Sequence, residues 1–75
     1  MSCITYGIYH VVGTDRQGRQ ILSHPQVRRV CDSNSETPPT PTNSFCASGY
    51  SIRHYYQNIL DGTWYGLAIC GRNGR

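Results

Sequence analysis

The chain contains no lysine, so every one of its seven basic residues is arginine. This removes the usual side-chain acceptor for ubiquitin and leaves planar, bidentate forks where mobile point charges are more common. Two functional readings follow, an Arg-lined surface for an acidic partner and a protein that persists in a eukaryotic cytosol; codon bias toward Arg is the ordinary explanation. Acidic residues are also few, and the formal charge of +3 with a pI near 8.8 falls short of a strongly basic nucleic-acid footprint, usually above about 9. No run approaches the roughly 18 apolar residues that a membrane span needs, and the N-terminus lacks the basic flank and apolar segment of a signal peptide. Met1 before Ser2 and Cys3 therefore reads as an initiator on a mature form. With one Phe, one Met and one Trp against six Tyr, an ordinary Leu/Phe core is excluded, and the interior is expected to be partly aromatic. No Asn lies in an N-glycosylation sequon.

What is present is four cysteines, Cys3, Cys31, Cys46 and Cys70, in 75 residues. An even count in a short chain without local C-x-x-C pairs points to two disulfides and an oxidising compartment. A domain of this size has little margin from its core alone and needs such staples. The same spacing argues against structural zinc, whose ligands come in local pairs, so neither a metal nor a cofactor is expected.

Along the chain, Ile4, Tyr6, Ile8 and Val12 alternate, with His10 the one polar residue on that face, which predicts a strand. The GTDRQG stretch Gly13–Gly18 has hairpin-loop content, and Arg19–Leu22 can pair back. Ser23-His24-Pro25 breaks the strand, and Gln26–Cys31 reads either as a helical turn or as a short strand with Val27 inward. Residues 32–45 carry three prolines among Ser and Thr, which predicts a flexible, solvated loop. Ile52, Tyr55, Tyr56, Ile59 and Leu60 recur at helical spacing, with Ser51 as cap and Gly62 as stop; the rival is a hairpin turning at Asp61-Gly62. Thr63–Cys70 is almost continuously apolar, as a central strand would be, and residues 71–75 form a frayed basic tail. The preferred disulfides are Cys3–Cys70, joining the first and last strands, and Cys31–Cys46, closing the loop.

The expected fold is thus one α+β domain over residues 1–75: hairpin, stapled loop, short helix and central C-terminal strand, with an all-β barrel or sandwich as the alternative. Arg28, Arg29, Arg53, Tyr50 and Tyr55 are the candidate binding residues, because Arg and Tyr anchor interfaces. His10 and His54, with Arg53 as a phosphate clamp, are the candidates for a ribonuclease; as a strand residue and an outward helix residue they equally suit ordinary surface roles. Tyr55, Tyr56, Trp64 and Tyr65 would suit a glycan platform if exposed. The leading function is a secreted, monomeric, non-enzymatic interaction protein of effector or toxin type that binds a partner protein, with translocation into a host cell as a variant of that reading. A small secreted ribonuclease or RNA-binding protein is the alternative.

Overall fold

The computed structural model describes residues 1–74. It contains five strands, β1 (Ser2–Thr14), β2 (Gln20–Leu22), β3 (Gln26–Asp32), β4 (Tyr50–Leu60) and β5 (Thr63–Arg72), and a single 3-10 turn at Asn43–Phe45. The expected α+β class is therefore corrected: among the described residues the chain is nearly all β and has no α-helix. The strands form one mixed sheet in the order β2-β1-β5-β4, with β3 also on β1. Among the described residues there is no second sheet to pack against this one, and β4 does not pair with β2 or β3 to close it, so the fold is neither barrel nor sandwich.

β2 and β3 lie end to end along the same edge of β1, pairing with its Val11–Thr14 and Ser2–Ile8 respectively. Between them the His10 carbonyl accepts from Ser23 N–H and the His10 N–H donates to Ser23 Oγ. His24-Pro25 is the extra pair of residues at the break, as proline's missing donor requires. Val27 does not face inward; it is 76% exposed, opposite Gly7.

The predicted helix at 51–60 is strand β4, paired antiparallel with β5 across Asp61-Gly62. Both turn residues have positive φ, 52° and 79°, the requirement of a two-residue primed turn. The helical spacing arose from a bulge between Ile52 and His54. The extra residue Arg53 moves Ile52 into phase with Tyr55, Gln57 and Ile59, so residues of opposite parity share one face and simple alternation fails.

The disulfides are Cys3–Cys31 and Cys46–Cys70, which overturns both expected pairs. β1 and β5 run parallel, with Ile4 opposite Trp64 and His10 opposite Cys70. Cys3 and Cys70 consequently sit at opposite ends of the sheet, about seven residues or 23 Å apart. Cys31 instead faces Cys3 across the β1–β3 ladder.

That topology also explains the long loop. β3 ends beside Ser2, whereas β4 begins beside Arg72 at the far end, so the connection must travel the length of the sheet. It does so over one face, where Pro38 and Pro41 are buried and Phe45 packs edge-on against Tyr6 at 5.8 Å; a fully solvated course does not hold at these positions. The core beneath is Ile4, Tyr6, Ile8, Ala68 and Cys70. Tyr6 Oη donates to the Pro39 carbonyl at 2.8 Å and accepts from Gln57 Nε2 at 2.8 Å, fixing the loop to β1 and β4. Burial raises the Tyr6 hydroxyl above its ordinary 10.0, with the Gln57 bond working in the opposite sense. Of the expected frayed tail, Gly71 and Arg72 belong to β5, Asn73 N–H donates to the Gly49 carbonyl, and Arg75 lies outside the described residues.

Candidate functional site

The loop covers one face of the sheet and leaves the other open. Strand alternation places Thr5, Gly7 and Tyr9 of β1, Val27 and Arg29 of β3, His54, Tyr56 and Asn58 of β4, and Tyr65, Leu67 and Ile69 of β5 on the open side. Tyr56 and Leu67 are directly opposed and are 52% and 38% exposed. Asn58 Nδ2 donates to both the Tyr56 and the Tyr65 hydroxyls, at 3.1 and 3.0 Å. This amide holds two rings in fixed positions, so less side-chain entropy remains to be lost on contact. No Asp or Glu occupies an open-face strand position.

At the Arg72 end the open face deepens into a groove of about 440 Å³. Both strand bulges border it, one in β1 between Val11 and Gly13 and one in β4 at Arg53. Arg53 and His54 line it together with Arg72, Val11, Val12 and Ile69.

A second cleft, of about 580 Å³, lies on the covered side between the loop and the β1 edge, lined by His10, His24, Arg28, Ser44, Phe45 and Tyr50 among others. Arg28 stacks its guanidinium 4.6 Å from the centre of the Phe45 ring. His10 meets Tyr50 edge-on at 4.8 Å, and its Nε2 accepts from Ala47 N–H at 2.8 Å. That acceptor role fixes the proton of a neutral ring on Nδ1.

The sequence candidates therefore divide. Arg29 and Arg53 are on the open face, while Arg28, Tyr50 and Tyr55 belong to the covered side. His10 pairs in register with Cys70, and His54 with Ile69. The two histidines are on opposite faces and do not converge on one phosphodiester. Trp64, offered for a glycan platform, packs against the core, and Tyr55 and Tyr56 point to opposite sides. His10, Cys46 and Cys70 place ligand-type atoms within 4.8 Å of one another, but both sulfurs are bonded to each other and supply no thiolate for a metal.

Tyr9, Val27 and Leu67 are not among the sequence candidates, because an almost continuously apolar segment reads as a central strand and Val27 reads as inward-facing. The available signal was the partly apolar second face of β1, carrying Tyr9 and Val11. Compared with protein-family models, curated proteins and solved structures, the chain matches none of them.

Proposed function

We propose that this is a secreted, disulfide-clamped binding protein, without catalytic activity, that engages a partner protein carrying acidic side chains across its open sheet face. The observation that supports it most is the composition of that face: exposed Tyr56, Tyr65, Leu67 and Val27 with Arg29 on the same side of the sheet, and no carboxylate among its strand positions. Tyr and Arg are favoured interface anchors, and complementary charge selects an acidic partner. Sheet-borne tyrosines near arginines also suit single-stranded RNA. The interleaved aliphatic residues Val27 and Leu67 offer no flat ring for a base, which favours protein. Secretion rests on the two disulfides; no helix among the described residues is long and apolar enough to cross a membrane.

The test places a photo-crosslinking residue at position 56 or at position 55, neighbours that point to opposite faces, and exposes each protein to extracellular fluid and to cell extract. Protein adducts are expected at 56, not at 55, and are expected to disappear with Arg29→Glu. Adducts mainly at 55, adducts insensitive to the charge reversal, or adducts to RNA would overturn the reading.

A further inference from the structure

We infer that the groove at the Arg72 end of the open face is an oxyanion receptor, with Arg53 as the group that grips a carboxylate or phosphate. Four separate features of the groove build a seat for this side chain. The bulge at Arg53 removes it from the regular ladder and turns it across β5. Gly71, buried beneath it, provides the space: a Cβ there would lie 2.8 Å from Arg53 Cγ and 3.0 Å from Nε. The Arg72 carbonyl accepts from Arg53 Nη2 at 2.8 Å, fixing the orientation of the guanidinium plane. The fourth feature is the surroundings, since His54, Arg72 and Thr14 line the same groove and no Asp or Glu does.

A guanidinium has five N–H donors, and one of those on Arg53 is used by the Arg72 carbonyl. Among the described residues no carboxylate satisfies the others: the one salt bridge there is Arg19–Asp15. Half-buried Val11 and Ile69 flank the groove with apolar atoms, while the donors of the guanidinium stay accessible for a charge-assisted bond. The ligand is therefore an oxyanion small enough to enter a groove of about 440 Å³ and flanked by apolar atoms. An acidic side chain or a phosphorylated residue of a partner has that chemistry. Its biological meaning rests on the open face being the contact surface proposed above, but the anion seat itself is testable without any partner.

The probes are acetate and inorganic phosphate, each titrated into the isotope-labelled, disulfide-intact protein at constant ionic strength with chloride as the balancing ion. The Arg53 Nε–H resonance and the Gly71 amide are expected to shift saturably. Arg53→Gln is expected to weaken binding about tenfold, as loss of a charge-assisted fork would. Gly71→Ala, which displaces the side chain but keeps its charge, is expected to weaken it as well, while Arg28→Gln in the other cleft leaves it unchanged. Stronger acetate than phosphate binding assigns the groove to acidic side chains, and the reverse order to phosphorylated ones. Absence of a saturable shift at Arg53, or equal binding by Arg53→Gln, overturns the proposal. If the anion titration fails while the position-56 adducts persist, the face binds a partner but the groove is not its anion seat. Anion binding without adducts overturns the contact face instead.

Discussion

The two faces of this sheet are both rich in apolar side chains, yet only one of them is a core. On the covered face, Ile4, Tyr6 and Ile8 are at most 2% exposed because the connection from β3 to β4 must cross that side to reach the other end of the sheet. On the open face, Tyr56 and Leu67 occupy equivalent ladder positions and remain accessible. The contrast teaches that apolar character in a strand reports the capacity to be covered, while topology decides which side receives the cover. Even the disulfides follow the division: Cys46–Cys70 fastens the loop to the buried face, whereas Cys3–Cys31 ties β1 to β3 on the open one.

The sharpest way to break the contrast is to release the clasp of the covered face. Each bridge closes a chain segment of similar length, 24 and 28 residues, worth about 3.5 kcal/mol in the chain-entropy model. Cys70 is fully buried and Cys31 is exposed. Cys46→Ala with Cys70→Ala is therefore expected to cost about 5 kcal/mol in urea unfolding, and Cys3→Ala with Cys31→Ala about 3 kcal/mol. Equal costs would remove the distinction between the faces. Next in size is Gly66→Ala, whose new Cβ would meet Tyr6 Cε1 at 2.8 Å and also crowd the Tyr56 carbonyl. A loss of about 3 kcal/mol is expected, because overpacking here presses on backbone as well as on the central ring.

Smaller again is Tyr6→Phe, which deletes the hydroxyl shared by Pro39 and Gln57 and is expected to cost about 1.5 kcal/mol by the same unfolding measurement. Its linkage has a defined sign. The folded state holds the Tyr6 proton more tightly than the unfolded chain because burial raises the hydroxyl above 10.0. That contribution is complete below pH 10 and is lost as pH rises through the folded value. Wild type is thus expected to lose stability above pH 10 more steeply than Tyr6→Phe, and parallel profiles would contradict a buried, titrating Tyr6. The smallest effect concerns catalysis: wild type and a His10→Ala/His54→Ala variant are expected to show the same negligible RNA cleavage, since the two rings are on opposite faces. Cleavage abolished by the double substitution would require a different arrangement of the sheet.

The N-terminal alternation in β1 and the break at Ser23-His24-Pro25 are legible in the sequence, because each depends on a few adjacent residues. So is the presence of two bridges, which follows from cysteine count and chain size. The remaining features depend on longer-range geometry. Strand β4 reads as a helix because one inserted residue, Arg53, changes the parity of Ile52 relative to Tyr55 and Ile59. The disulfide partners follow from β1 and β5 being parallel, a relation that no local pattern encodes. The prolines of residues 32–45 look like a solvated spacer until the loop is seen to have a face to cross. Arg53 itself is visible as a candidate by residue type, whereas its seat over Gly71 requires a bulge in one strand to meet a glycine in the next.

The division of labour between the faces is tested most directly by the urea unfolding of a Tyr56→Thr/Leu67→Thr double variant, which removes an opposed open-face pair while keeping β-forming residues. A contact surface that lies outside the core predicts a loss of less than about 1 kcal/mol. A loss of about 4 kcal/mol or more, comparable to deleting buried core side chains, would show that this face is part of the interior and would contradict its assignment as the binding surface.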